Sequence, residues 1–179
     1  MTYKLTTEEM GRLTVAEFRE SAKLPLTVVL DNVRSQNNIG SVFRTADAFR
    51  VEHIALCGIC STPPHREIHK TALGAEESVE WSHHDDTAAC VRSLKALGYK
   101  VFAVEIAHGS LKLGALPADA FGPGVKTAIV FGNEIDGVQE EVMALCDGAL
   151  EIPQEGTKHS LNVSCAAAIV MWEMWKLKH

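Results

Sequence analysis

Short apolar runs rich in β-branched residues recur along this 179-residue chain, and they constrain its fold more than any other feature. Runs of this kind predict strands that are buried on both faces, as in a parallel sheet covered by helices. They lie at residues 26–30, 53–57, 99–105, 125–131 and 149–152, with residues 78–81 as a further possible strand. Because helical patterns separate them, the sequence predicts an α/β fold with a mainly parallel sheet flanked by helices.

Helix signals mark the segments between the predicted strands. Asn38 is predicted to cap a helix that runs to about Phe49, because apolar residues follow it at helical spacing. Gly40 and Arg44 share the other face of this helix, where a glycine permits close approach of a backbone or a ligand. Further helices are predicted over residues 65–72, 85–97 and 138–146.

The first 24 residues are predicted to form a peripheral extension, and residues 25–179 the main domain. Thr6-Thr7-Glu8-Glu9 has the pattern of a helix cap, so a short helix is expected to run from there through Phe18. Pro25 is expected to end it. The N-terminus lacks the apolar core of a signal peptide, which favours a cytoplasmic protein.

The last 30 residues carry a helix that is apolar nearly all the way round, from Val163 to Trp175. A helix without a polar face must be covered on all sides, so it belongs either to the core or to a subunit interface. It is too short and too rich in small residues for a membrane span. A polar run precedes it, in which Ser160 or Asn162 is predicted to cap the first turn.

Charge and cysteine content narrow the function classes. The formal net charge of -6 argues against broad electrostatic binding to a polyanion, although a local basic patch is compatible with an acidic whole. Five cysteines, an odd number, without a signal peptide argue against a disulfide framework.

Three polar loops follow predicted strands, at residues 31–38, 132–137 and 153–160. In parallel sheets, ligands bind beyond the carboxyl ends of the strands, so these loops are the candidate site. The first leads to Arg44, whose planar fork of donors suits a phosphate. The second has two glycines and Glu134 after a β-rich strand, as expected of a backbone that wraps a ligand.

A metal site is the competing interpretation. Cys57, Cys60, His65 and His69 supply four possible ligands within thirteen residues. The spacing between the cysteine pair and the histidine pair is much shorter than in a zinc finger, and Cys57 falls within a predicted buried strand. We therefore predict no metal. The alternative is a metalloprotein built on these four residues, or a nucleotide-binding flavodoxin-like protein.

Taken in order, the three loops resemble the three motifs of the SpoU (TrmH-like) class of the SPOUT superfamily of RNA methyltransferases. They are DNVRSQNNIGSVFRTADAFRV, AIVFGNEIDGV and LEIPQEGTKHSLNVSCAAAIVMWE. The segment KTALGA, between the first two, also matches the class. The resemblance covers residues 25–176.

The resemblance implies an α/β knot fold with a C-terminal trefoil knot, and an obligate homodimer with its site at the interface. It implies S-adenosylmethionine as the methyl donor, no metal, and an RNA substrate, with transfer to a ribose 2′-OH of tRNA or rRNA. The cofactor-binding residues implied are Phe131, Gly132, Asn133, Ile152, Pro153, Gln154 and Leu161.

The catalytic residues implied by the resemblance are Arg44, Asn38, Glu134, Ser160 and Asn162. A guanidinium with a pKa above about 12 is a poor base, so stabilising the alkoxide is the easier role for Arg44. Asn38 is expected to shape the site beside it, and Glu134 to hold the second loop or Arg44. Ser160 and Asn162 are expected to position the RNA and the partner's loop.

One departure from the class bears on the substrate. Gln154 follows Ile152-Pro153 where many members have Met, and Ile-Pro-Gln occurs in some tRNA ribose methyltransferases of the class, which favours tRNA. An rRNA substrate, or a binding module without turnover, is the alternative. The candidates for gripping RNA in a dimer groove are Arg34, Arg44, Arg50, Arg66, Lys70 and Lys158.

Overall fold

A computed structural model describes residues 2–6 and 8–179 of the chain. The strands are β1 (Leu24–Asp31), β2 (Val51–Cys57), β3 (Trp81–His84), β4 (Lys100–Val104), β5 (Leu111–Lys112), β6 (Thr127–Phe131) and β7 (Gly148–Glu151). The helices are α1 (Val15–Glu20), α2 (Gln36–Ala48), α3 (Arg66–Ala72), α4 (Ala75–Ser78), α5 (Thr87–Ala96), α6 (Ala118–Phe121), α7 (Glu140–Leu145) and α8 (Val163–Lys178). Within the described residues, no helix combines the length and apolarity needed to cross a membrane.

The strands form one sheet in the order β3-β2-β1-β6-β4-β7-β5, and every pair is parallel. This confirms the predicted α/β fold with a parallel sheet. Leu30 of β1 lies opposite Phe131 of β6, and Val104 of β4 lies opposite Leu150 of β7. The carboxyl ends of these four strands therefore open onto the same edge of the sheet.

Helices cover both faces of the sheet, which explains why its strands are apolar at consecutive positions. On one face, Leu26, Val28 and Leu30 of β1 join a core that includes α2 and α8. On the other face, Val29 joins a smaller core with Val91 of α5 and with α7. All of these side chains are buried.

The start of α2 differs from the prediction. Ser35, not Asn38, caps the helix, since its side chain accepts a hydrogen bond from the backbone N–H of Asn38 at 3.3 Å. Asn38 therefore lies within the first turn, and its own side chain is available for contacts outside the helix. Gly40 serves the approach of another backbone: a Cβ there would lie 2.3 Å from the carbonyl oxygen of Ile68 in α3.

The N-terminal helix α1 is shorter than predicted, and it begins later in the sequence, at Val15. Thr6 and Glu9 do form a capping pair, but only one turn follows, and Gly11 leaves it with a positive φ of 55°. A second capping box, Thr14 with Glu17, starts α1. Thr7 of the predicted cap lies outside the described residues. Pro25 belongs to β1 and does not end the helix.

Two other boundaries move. Residues 75–78 form the short helix α4, so the predicted strand at 78–81 is shifted to Trp81–His84, beside β2. The last helix begins at Val163, after the polar run, and Asn162 caps it as one of the two predicted candidates. Its side-chain oxygen accepts from the backbone N–H of Ser164 at 2.9 Å.

Candidate active site

A pocket of about 660 Å³ lies beyond the carboxyl ends of β4, β6 and β7. We call it the strand-end pocket. Its walls are Val104, Glu105, Ile106, residues 131–137, Leu150, Ile152, Gln154, residues 159–163 and Ala166. The second and third polar loops therefore meet at one site, as expected from the parallel sheet.

The loop after β6 is a tight turn closed on itself. The side-chain oxygen of Asn133 accepts from the backbone N–H groups of Ile135 at 2.9 Å and Asp136 at 3.0 Å. The N–H of Gly137 returns to the backbone oxygen of Asn133 at 3.1 Å. A Cβ on Gly132 would lie 1.9 Å from the carbonyl carbon of Gly137, so only glycine fits there. The glycine pattern found in the sequence thus serves this turn.

A chain of side-chain hydrogen bonds joins the three loops. The amide nitrogen of Asn38 donates to Glu134 Oε1 at 2.8 Å. The amide nitrogen of Asn162 donates to Asn38 Oδ1 at 3.2 Å. These residues lie 96 and 124 positions apart from Asn38 in the sequence. Asn38 is therefore the link between the first motif and the other two.

The third loop supplies one wall of the pocket and its rim. Ile152 and Gln154 follow β7, and Ser160 and Leu161 precede the cap of α8. Leu161 is 40% exposed and lines the pocket. Pro153 is exposed and does not line the pocket.

Arg44 lies elsewhere. It is exposed on α2 and lines a separate groove of about 780 Å³. We call this the arginine groove. Its lining consists of residues 10–15, Phe18, Arg44, Asp47, Ala48, Arg50, residues 72–75, Glu77 and Ser78. Within one chain, the structure therefore brings together the predicted residues of the second and third motifs, apart from Pro153, and links Asn38 to them, but it does not bring Arg44 to the pocket.

Glu105 was missed by the sequence reasoning. Its Oε1 accepts from the backbone N–H of Val138 at 2.7 Å, which ties the end of β4 to the loop after β6. A Cβ on Gly137 would lie 2.3 Å from the same oxygen. The available signal was its position, since it directly follows β4 at the carboxyl edge of the sheet. His159 and Asp136 also line the pocket without having been singled out.

The residues of the competing metal site have other roles. Burial raises the pKa of the Cys60 thiol to about 11. A hydrogen bond with Cys90, together with burial, raises the pKa of Cys57. The Cys60 thiol donates to the backbone oxygen of Leu30 at 3.3 Å. His65 caps α3, and His69 Nδ1 lies 2.5 Å from Glu76 Oε1. Across residues 2–6 and 8–179, no three His, Cys, Asp or Glu side chains are grouped to hold a metal ion.

Comparison with known proteins gives the class. The model of the SpoU rRNA Methylase family matches residues 25–172, so the chain belongs to this family of methyltransferases. The tRNA (guanosine(18)-2'-O)-methyltransferase of Thermus thermophilus is 35% identical over 166 residues, which are 92% of this chain and 81% of that enzyme.

Two solved structures share the fold. The AdoMet-bound rRNA methyltransferase of Sinorhizobium meliloti has a TM-score of 0.77 at 26% identity, over 87% of this chain and 60% of that chain. A second structure, which gives insights into the 2-OH methylation of C/U34 on tRNA, has a TM-score of 0.72 at 28% identity. There the match covers 85% of this chain and 95% of that chain.

Proposed function

We propose that this protein transfers the methyl group of S-adenosylmethionine to a ribose 2′-OH of tRNA. The observation that carries the proposal is the chain Glu134–Asn38–Asn162, which joins all three motif loops beside the strand-end pocket. The Thermus thermophilus relative is named for this reaction on tRNA, which favours tRNA over rRNA.

The shape and backbone of the strand-end pocket suit S-adenosylmethionine. Its volume of about 660 Å³ falls within the roughly 300–1,000 Å³ of ligand pockets. Within residues 2–6 and 8–179, the backbone groups of Gly132, Ile152 and Leu161 have no backbone hydrogen-bond partner. They are therefore available to hold the edge of an adenine, while Phe131 and Leu150 offer apolar walls.

The charges of the pocket also suit this cofactor. Glu105, Glu134 and Asp136 line the pocket, and no lysine or arginine is among its lining residues in the described chain. Carboxylates favour a cation, and the sulfonium and the amino group of S-adenosylmethionine are cations. Asn133 and Gln154 add polar contacts at the wall and the rim.

The chain's own residues then have two tasks. Bound S-adenosylmethionine supplies a methyl group that its sulfonium has already activated. Asn38 and Glu134 fix the loops that place the ribose oxygen in line with that methyl, and alignment of this kind supplies much of the rate. Arg44 donates hydrogen bonds to the developing alkoxide and the neighbouring phosphate. Ser160 and Asn162 position the RNA at the rim.

Arg44 reaches this chemistry in a homodimer. We propose that a second copy covers α8, on which the large apolar side chains of Trp172 and Ile169 are 48% and 41% exposed. Trp172 stacks on Trp175 at 5.2 Å and contacts Phe49 at 5.9 Å, so the exposed surface is a continuous aromatic patch. The predicted mass by light scattering is twice the 19.5 kDa of one chain. A mass of one chain at micromolar concentration would exclude the dimer.

Three expectations from the resemblance also belong to this proposal. The C-terminal trefoil knot is supported by the sheet order, because β7 lies between β4 and β5, and β5 belongs to the connection from β4 to β6. An experimental structure in which the chain after β7 passes outside the connection from β4 to β6 would exclude the knot. The division between residues 1–24 and 25–179 is supported by the span of the family match. The third expectation is a cytoplasmic location, which the proposed tRNA substrate supports and which cell fractionation tests.

Transfer of labelled methyl from S-adenosylmethionine to total tRNA tests the function directly. The expected product is one 2′-O-methylated nucleotide, located by mapping the labelled tRNA. Label in ribosomal RNA alone would favour the rRNA alternative. Tight cofactor binding with no label in any RNA would favour a binding module without turnover.

A further inference from the structure

The N-terminal segment forms one wall of the arginine groove. Residues 10–15 line it together with Arg44, Asp47 and Ala48 of α2, and with residues 72–75, Glu77 and Ser78. The segment thus reaches the same groove as Arg44, although the sequence had suggested a peripheral extension. It also lies outside residues 25–172, the part of the chain that matches the family.

Several contacts fix this wall in place. Phe18 of α1 is 5% exposed and belongs to the main core. The guanidinium of Arg19 donates twice to the backbone oxygen of Glu77, at 2.6 and 3.2 Å. Thr14 and Glu17 cap α1 reciprocally, with the Thr14 N–H donating to Glu17 at 2.7 Å. The segment before α1 is therefore held at the groove by its own helix.

The groove presents an excess of positive charge. Arg12, Arg44 and Arg50 line it, are exposed, and form no ion pair within residues 2–6 and 8–179. Two carboxylates oppose them. Asp47 accepts a hydrogen bond from Ser78 Oγ at 2.5 Å, and Glu77 is exposed. A guanidinium without an ion-pair partner can donate two parallel hydrogen bonds to the oxygens of one phosphate.

We propose that Arg12 is a substrate-positioning residue, which binds a backbone phosphate of the RNA held against Arg44. The inference rests on the proposed function and adds to it a contact from outside the matched domain. The occupant of the groove is a phosphodiester backbone, because three cationic forks along one cleft complement a chain of regularly spaced anions. Arg12 makes no base contact in this role, so it adds affinity rather than sequence preference.

The test compares Arg12→Ala with Arg92→Ala in the full-length protein. Arg92 is a matched control, since it is an exposed arginine on α5 whose only ion pair is with Asp86 among the described residues. Binding of tRNA is measured over a series of salt concentrations. Arg12→Ala is expected to weaken binding about 3- to 10-fold and to reduce the slope of log K against log salt by about 0.7–0.9. Arg92→Ala is expected to change neither.

Kinetics, a charge-conserving variant and removal of an opposing carboxylate complete the test. Arg12→Ala is expected to raise the KM for tRNA with little change in kcat, and Arg12→Lys to restore most of the salt slope. Glu77→Gln removes an opposing carboxylate and is expected to tighten binding about twofold.

The outcomes separate the two proposals. Wild-type protein that methylates tRNA while Arg12→Ala matches it in affinity and salt slope would overturn the role of Arg12 and leave the function intact. Wild-type protein that neither binds nor methylates tRNA would overturn the function itself. Equal losses in Arg12→Ala and Arg92→Ala would show only a general charge effect, and would also overturn the role.

Discussion

The strand-end pocket and the arginine groove are built on different principles. The pocket is held by hydrogen bonds between loops that are distant in sequence, such as Asn38 with Glu134 and Asn162. Its polar groups are largely backbone and carboxylate. The groove is lined by exposed guanidinium groups, including Arg44 and Arg12, that have no ion-pair partner in the described chain.

This difference separates two kinds of recognition. A closed loop network with free backbone groups specifies the shape of one small molecule, because each group has a fixed position. Exposed arginines at a groove bind phosphates through charge and tolerate movement of the partner. Variants in the pocket should therefore alter cofactor binding or geometry, whereas variants in the groove should alter RNA binding and methyl transfer.

The largest effect is expected for Gly132→Ala in the pocket. The new Cβ would lie 1.9 Å from the Gly137 carbonyl carbon and 2.2 Å from the Val138 nitrogen, both of them backbone atoms. We expect the free energy of unfolding in urea to fall by about 3 kcal/mol or more, with loss of cofactor binding. Gly156→Ala is the control, since nothing lies within 4 Å of its added Cβ. Near-wild-type cofactor affinity in Gly132→Ala would contradict the close packing of Gly132 against Gly137 and Val138.

Arg44→Ala is expected to slow methyl transfer about 100- to 1,000-fold, the usual loss when one donor to a developing oxyanion is removed. Cofactor affinity should stay unchanged, because Arg44 does not line the strand-end pocket. Single-turnover methyl transfer and calorimetric titration with S-adenosylmethionine measure the two quantities. A parallel loss in cofactor affinity would place Arg44 in the pocket and erase the distinction between the two regions.

Mixed dimers show whether Arg44 acts on the pocket of the partner. Arg44→Ala and Asn162→Ala chains are unfolded together, refolded and assayed. If the two residues come from different chains, each mixed dimer has one intact site, and the mixture recovers about a quarter of wild-type activity. If they come from one chain, every site is defective and the mixture is as inactive as its parents.

Asn38→Asp is expected to have a smaller effect, a loss of about 10-fold in kcat/KM. An aspartate cannot donate to Glu134 and places a second carboxylate beside it, so the first motif separates from the second. Asn37→Asp is the control, because it adds the same charge one position earlier on an exposed side chain. The kcat/KM of Asn38→Ala should lie between those of Asn38→Asp and Asn37→Asp. If both aspartate variants lost activity equally, the cause would be charge at the helix start rather than the broken link.

The sequence predicted the sheet because buried parallel strands need apolar residues on both faces, and the run from Leu26 to Leu30 is apolar and rich in β-branched residues. It failed where two local signals competed. Ser35 and Asn38 are both good caps, and only the path of the chain after β1 selects Ser35. His83 and His84 have no strand pattern, and they pair because β2 lies beside them.

The candidate site was predictable in its loops but not in its assembly. The glycines and the asparagines of the motifs are visible in the sequence, whereas the contact of Asn38 with Asn162 depends on how β1 and β7 are placed in the sheet. The separation of Arg44 from the pocket could not be predicted for the same reason. Glu105 has no motif, and only its position after β4 gives it a role.

The smallest expected effect is on the pH dependence of stability, and it involves neither the strand-end pocket nor the arginine groove. Burial lowers the pKa of Lys178 to about 8, and its ammonium donates to the backbone oxygen of Val125 at 2.6 Å. Between this pKa and the ordinary lysine value of 10.5, the unfolded chain binds more protons than the folded chain. The contribution of Lys178 to the free energy of unfolding should therefore rise as pH increases from about 8 to 10.5.

Lys178→Met isolates that contribution. Burial also raises the pKa values of Cys60 and Cys146 to about 11, and these thiols lower stability as pH rises above 9, but they are common to both proteins. Urea unfolding at pH 7.5 and 9.5 should show that the wild type gains stability relative to Lys178→Met at the higher pH. An unchanged difference between the two proteins would mean that Lys178 keeps its ordinary pKa. The same pair should show no pH-dependent difference in cofactor affinity, because Lys178 contacts the turn before β6 at the opposite edge of the sheet from the strand-end pocket.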